Sequence, residues 1–247
     1  MSTASSKSKR RVAVVSFSGV DGAGKSTQIR ALASYFRHQS LRVAIVAFWD
    51  QIACLKNLRE SAGHRIFKGE KGVGSPEAPV NRRDKNVRSW PMSCVRLVLY
   101  LIDALSTRRA VRAVHRTGAD FVIFDRYIYD ELANLNLRNP LMRAYARLIM
   151  EIVPRPDVSY LLDAEPLQAR ARKPEYPLEF IYCNRQSYYD LSSLLGGITV
   201  VPPMEIGDVQ REVLHHALGA LSGSIAEHER QEVAKGRAER AERCRNT

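Results

Sequence analysis

The sequence predicts an α/β fold, a parallel β-sheet covered by helices on both faces. Two observations predict it: short β-branched runs that end at glycine or aspartate, and apolar residues spaced three and four apart in the segments between those runs. Strands that alternate with helices are joined by right-handed crossovers, which makes neighbouring strands parallel and places helices on either side. The chain has 247 residues, enough for one domain with short appendages, and its 45% hydrophobic and 26% charged residues are enough to fill a sizeable core. That balance excludes wholesale disorder, collagen and coiled coil, and no internal repeat is present.

Val12 to Phe17 is a β-branched run that stops at Gly19 and reads as a buried strand, followed by a glycine-rich turn. From Lys25 onward, Ile29, Leu32, Ala33 and Phe36 mark one face of a helix. Leu41 to Phe48 reads as the second strand. Trp49 to Trp90 fits neither period, and Gly63, Gly69, Gly72, Gly74, Pro76 and Pro79 make it irregular chain around a short helix. A long helix is expected from Ser93 to about Arg116, then a third strand from Phe121 to Phe124 that ends in Asp125. Pro140 to Ile152 reads as a helix and Val158 to Leu162 as a strand ending in Asp163. Helices are expected at Pro166 to Arg172 and Leu178 to Leu195. Ile198 to Val201 gives the last strand, stopped by Pro202 and Pro203, before a helix near Val209 to Leu221. The expected organisation is a basic tail over 1–11, one domain over 12–222 with an irregular basic insertion at about 52–92, and a charged helix or tail over 223–247.

The net charge of +12 calls for anionic partners. Most of the surplus is internal: Lys56 to Arg116 holds 14 basic residues against five acidic ones. No apolar run reaches the roughly 18 residues of a membrane span, and no apolar segment follows the polar N-terminus as in a secretory signal, so cytoplasm is the expected compartment. Cys54, Cys94, Cys183 and Cys244 lie far apart with no C-x-x-C pair, which argues against a disulfide framework or a zinc site. His115, His215 and His216 lack carboxylate or cysteine neighbours at ligand spacing and read as ordinary histidines.

The chemistry concentrates in Gly19-Val20-Asp21-Gly22-Ala23-Gly24-Lys25-Ser26, which matches G-x-x-x-x-G-K-[ST] between an expected strand and an expected helix. The glycines let backbone N–H groups close around phosphate oxygens. Lys25 can reach the β- and γ-phosphates, Ser26 can offer its hydroxyl to Mg²⁺, and the helix N-terminus favours the anion. Asp125, a carboxylate at the end of an apolar strand, is what the Mg²⁺ side of such a site requires, although Asp163 ends a strand in the same way.

Phe17 through Thr27 and Gln28, then Asp125-Arg126-Tyr127, then Asp163-x-x-Pro166-x-x-Ala169-x-x-Arg172, occur in the order and spacing of the thymidylate kinases, and the resemblance runs from about Arg11 to Leu221. It implies the P-loop kinase fold, ATP and Mg²⁺ as cofactors, and transfer of the ATP γ-phosphoryl group to a nucleoside monophosphate, dTMP first. It also implies that Asp21 faces the acceptor's sugar, that Arg126 holds the acceptor phosphate, and that a basic lid closes over the nucleotide. Arg170, Arg172 and Lys173 are the lid candidates, and Arg172 fits the motif best. Their other reading is an ordinary basic helix face. Members of this family are commonly homodimers, and the apolar helix from Ser93 could pair subunits or lie buried within one chain.

The sequence departs from the family on the acceptor side. Phe48-Trp49-Asp50-Gln51 stands where the family has Arg-Glu-Pro-Gly-Gly. Leu99, Tyr100 and Asp103 stand where an aromatic residue and an arginine read thymine, and a carboxylate cannot donate to a thymine carbonyl. Tyr129, Asp130, Glu131, Asn134 and Leu135 fill the positions after Asp-Arg-Tyr. Trp49, Asp50 and Gln51 follow a strand's carboxyl end and are candidates either for acceptor contact or, for Trp49, for packing. Tyr182, Tyr188 and Tyr189 share a helix face and read as packing residues rather than a base-stacking platform. Two rivals remain: a kinase for another phosphorylated or hydroxylated acceptor, and an ATP-driven regulatory protein whose basic surface meets nucleic acid. No nucleic-acid-binding motif is present to support the second.

Overall fold

In the computed structural model of the protein, residues 12–52, 90–174 and 176–219 are described. The expected basic tail, the insertion over 53–89 and the charged segment over 223–247 lie outside them.

β1 (Ala13–Ser18) forms where the first β-branched run stands, and its two-residue alternation sorts the core into two layers. Ala13, Val15 and Phe17 join Ile29, Leu32, Ala33 and Phe36 of α1 (Lys25–His38) on one face of the sheet. Val12 and Val14 join the opposite layer. β2 (Val43–Ala47) and β3 (Phe121–Asp125) follow the same rule: Phe121 and Ile123 lie on the α1 side, Val122 and Phe124 on the other. The Phe36 and Phe121 rings stack at 4.1 Å between centroids, fastening α1 to β3.

β4 (Val158–Leu162) and β5 (Thr199–Val201) complete a sheet of order β2-β3-β1-β4-β5, and each neighbouring pair is parallel. Register places Phe17 beside Asp125 on one side and Tyr160 on the other. The carboxyl ends of β3, β1 and β4 therefore lie together, so the loops after Ser18, Asp125 and Leu162 share one edge, where parallel sheets bind ligands.

Several boundaries differ from the periodicity. β2 is shorter than Leu41 to Phe48, because the chain turns into a single π-helical turn at Phe48–Ile52 that buries the Phe48 ring. α2 (Trp90–Val114) starts three residues before Ser93 and stops two before Arg116, where Thr117 and Gly118 turn the chain towards β3. α3 (Ile128–Leu132) has only five residues, too few to show a period, and the pattern leaves it out. α4 (Pro140–Ile152) begins on Asn139, whose side chain accepts from the Leu141 N–H at 2.9 Å, with proline in the first turn. α5 (Pro166–Arg172) and α6 (Leu178–Leu195) match the expected ranges. Residues 206–219 are helical, beginning earlier than the expected Val209.

Candidate active site

The loop after β1 is shaped by contacts that only glycine permits. Gly19 has φ +135°, and a Cβ there would lie 2.2 Å from the Leu162 carbonyl oxygen; at Gly22, φ +86°, it would lie 2.4 Å from that of Ala169. The loop therefore packs against the end of β4 and against α5. Gly24, φ +84°, is the N-cap of α1 and offers no side-chain cap, so the first amides of the helix have no side-chain acceptor. A Cβ at Gly24 would meet nothing within 4 Å.

Lys25 is buried, and its Nζ donates to the carbonyl oxygens of Gly19 and Val20 at 2.8 Å each. The Asp21 Oδ1 lies 4.0 Å from it. Burial and the neighbouring Arg126 cation push the ammonium pKa down to about 8, against the pull of Asp21, Asp130 and Asp125. Ser26 and Thr27 are exposed in the first turn of α1.

At the end of β3, Asp125 is half-buried and Arg126 adopts φ +70°, a conformation that costs a non-glycine residue about 1–3 kcal/mol. The Arg126 N–H donates to the Phe17 carbonyl at 2.9 Å and ties the turn to β1. Its guanidinium is held between two carboxylates: one nitrogen donates to Asp21 Oδ1, and Nη1 donates to Asp130 Oδ1 at 2.8 Å. Burial works against the Arg126 charge, but Asp130 and Asp21 outweigh it and strengthen proton retention. Burial likewise favours neutral Asp21, yet Arg126, Lys25 and Lys173 together hold its carboxyl below the usual range.

α5 and α6 approach from the β4 side. Arg172 is exposed and donates from Nη1 to the Gly22 carbonyl at 3.2 Å, so it reaches the glycine loop. Arg170 is half-buried, and Lys173 is exposed close enough to act on Asp21. Asp163 receives two bonds from Arg185, at 2.7 and 2.6 Å, and one from the Tyr189 hydroxyl at 2.8 Å. The Arg185 guanidinium also stands 5.8 Å above the Tyr189 ring.

The structure thus gathers Gly19, Val20, Asp21, Gly22, Ala23, Gly24, Lys25, Ser26, Thr27, Asp125, Arg126 and Arg172 at one edge of the sheet. Trp49 packs against the core and meets Phe48 edge-on, while Asp50 is exposed. Tyr100 and Asp103 are buried on α2, and Leu99 is half-buried. The three histidines are exposed, and His216 contacts Glu212 at 3.0 Å. Of the tyrosines read as packing residues, Tyr188 is buried in the core and also donates its hydroxyl to Asp130, Tyr189 donates to Asp163, and Tyr182 is exposed. Arg185 carries no motif and escapes a reading of the sequence, and Ser18 lies in the first motif block without a role assigned to it there. Asp130 stood out only as a departure from the family, although its place four residues after Arg126 is the spacing of a helical ion pair.

The donors at this edge suit a phosphate chain and a hard cation. Positive-φ glycines and an uncapped helix N-terminus present backbone amides to an anion, and the oxygens of Ser26 and Asp125 are the ligand type that Mg²⁺ takes.

The solved structure of thymidylate kinase from Ehrlichia chaffeensis superposes on this chain with a TM-score of 0.51 at 20% sequence identity, over 83% of this chain and 97% of that one. At that identity the likeness shows the fold, an α/β P-loop fold with a parallel sheet between helical layers. No protein-family profile and no curated protein matches the sequence.

Proposed function

We propose that the protein is a P-loop kinase that transfers the γ-phosphoryl group of ATP to a small acceptor seated beside Asp21 and Arg126. One observation carries this reading: the buried Lys25, its Nζ 4.0 Å from Asp21 Oδ1, and the half-buried Arg126, paired with the same oxygen, converge where the glycine loop and the end of β3 meet. Transfer between two anionic groups demands cations of this kind, because charge moves between oxygens that repel each other.

In this reading the amides of Gly22, Gly24 and the first turn of α1 cradle the donor's phosphates, with Gly19, Val20, Ala23 and Thr27 shaping the loop. Lys25 turns from the Gly19 and Val20 carbonyls to the transferring group. Ser26 and Asp125 would hold Mg²⁺, which supplies charge neutralisation between the phosphates when bound. Arg172, already on the Gly22 carbonyl, closes over the donor. Arg126 clamps the acceptor and Asp21 orients it. The resemblance to thymidylate kinases points to a nucleoside monophosphate, dTMP first, and to nucleotide biosynthesis; a cytoplasmic location goes with this reading, and a homodimer, common in that family, is one arrangement open to it.

A second reading, a different phosphorylated or hydroxylated acceptor, is favoured by Asp103, a fully buried carboxylate on the helix where that family reads thymine with an arginine. Both readings are tested by ATP-to-ADP turnover with Mg²⁺ across nucleoside monophosphates, nucleosides and no acceptor, with Lys25→Ala as the blank. Turnover with dTMP or dUMP supports the first; turnover confined to a nucleoside supports the second. A Lys25→Ala protein as active as the wild type would sink both.

A further inference from the structure

We propose that Asp130 is a positioning residue: its buried carboxylate fixes the direction of the Arg126 guanidinium, and through Arg126 it shapes the grip on an acceptor's phosphate. The second half rests on the reading of Arg126 as the acceptor clamp; the first rests on geometry alone.

The Asp130 carboxylate accepts four hydrogen bonds, two on each oxygen. Oδ1 receives Arg126 Nη1 at 2.8 Å and the Tyr188 hydroxyl at 2.7 Å. Oδ2 receives the Ser18 hydroxyl at 2.7 Å and the Tyr127 N–H at 3.3 Å. These donors use the acceptor capacity of a carboxylate, and the side chain is 2% exposed, so Asp130 does not reach a ligand itself. Its partners come from β1, from the turn before α3 and from α6. Asn134 adds a fifth anchor by donating from Nδ2 to the Asp130 backbone carbonyl at 2.8 Å.

Arg126 needs such a fixture. It is held in a left-handed turn, and its long side chain would otherwise sample many rotamers, a freedom that each binding event would have to remove. Asp130 removes that freedom in advance by pinning Nη1 from a site closed to solvent. The other carboxylate on the guanidinium, Asp21, is 26% exposed and stands on the open side, where an acceptor's phosphate could displace it. One face of the guanidinium is thus anchored and the other is exchangeable.

A bare electrostatic counterweight makes the opposite forecast. Asp130→Asn deletes a negative charge beside Arg126, so a purely Coulombic role predicts tighter anion binding; loss of positioning predicts weaker binding in spite of the charge. The probe is inorganic phosphate, titrated into full-length ¹⁵N-labelled protein with excess ADP and Mg²⁺ in the donor loop. It is read on the Arg126 Nε–H resonance, assigned with Arg126→Lys.

We expect resolved Nη resonances for Arg126 in the wild type, merged ones in Asp130→Asn, and phosphate affinity about tenfold lower in the variant. Tyr188→Phe, which alters no charge, should move both readouts in the same direction by a smaller amount. A folded Asp130→Asn protein that binds phosphate more tightly, or whose guanidinium stays locked, overturns the proposal. If Asp130→Asn does not fold, Tyr188→Phe decides: a guanidinium as rigid as in the wild type overturns the proposal. Absence of phosphate binding at a wild-type Arg126 that Asp130→Asn nevertheless unlocks would leave the positioning role standing and remove the acceptor clamp.

Discussion

Lys25 shows how a single residue couples stability, charge and binding. Its folded pKa of about 8 lies below the ordinary 10.5, because burial and Arg126 disfavour the ammonium. Between those two values the unfolded chain keeps a proton that the folded one has released, so the stability contributed by this group rises with pH across that window. Buried tyrosines pull the other way as pH nears 10, so the readout is the difference in stability between wild type and Lys25→Met, which denaturant titrations of the ligand-free proteins at about pH 8 and 9 should show rising with pH. ATP affinity should run the other way, falling above about pH 8 as the cation is lost, which equilibrium titration of ATP against pH would reveal. Gly22 is constrained by shape instead. Gly22→Ala drives a methyl group into the Ala169 carbonyl and strains a positive φ, so ATP binding should fall steeply while the sheet stays folded. Circular dichroism beside an ATP titration separates the two effects.

Elements are joined to this edge by side chains that no periodicity reveals. Asp163 ends β4, and Arg185 and Tyr189 bring α6 onto it. Arg185→Ala would take two donors from a buried carboxylate that the Tyr189 hydroxyl still reaches, at a cost of about 1–3 kcal/mol seen as a lower denaturation midpoint. A shift in KM for the acceptor in Arg185→Ala, with kcat unchanged, would mean that α6 also sets the position of Tyr188. The long helices and the strands were legible because each is long enough, or apolar enough, to show its period. α3 was not, and the π-helical turn after β2 was not, because five residues complete too little of any repeat.

For the whole molecule, the two-layer core and the charge distribution make separate demands. Ile123 is fully buried between α1 and the sheet, so Ile123→Ala should cost about 2–5 kcal/mol in a denaturant melt and leave ATP affinity nearly unchanged. Val95, Val98, Leu101 and Leu105 remain exposed along α2. A homodimer of the kind the resemblance implies would cover them, and Val98→Lys would then shift the protein towards monomer in sedimentation. The charge of +12 also sets a limit. A small-molecule kinase should show no useful affinity for duplex or single-stranded DNA at physiological salt, whereas persistent binding with a steep salt slope would favour the regulatory reading.

The parallel α/β sheet, the order of the long elements and the glycine loop are all written in local spacing: a period of two or of 3.6, or glycines where a turn needs positive φ. Lys25, Ser26, Asp125 and Arg126 likewise stand within contiguous motifs. That Arg126 lies between Asp21 and Asp130, that Tyr188 and Ser18 hold Asp130, and that Arg185 closes on Asp163 follows from the folded chain alone. Asp21 and Arg126 are 105 residues apart, and Ser18 and Asp130 are 112. Such pairs meet because parallel pairing sets the ends of β1, β3 and β4 side by side, and nothing in the local spacing of either partner records the other.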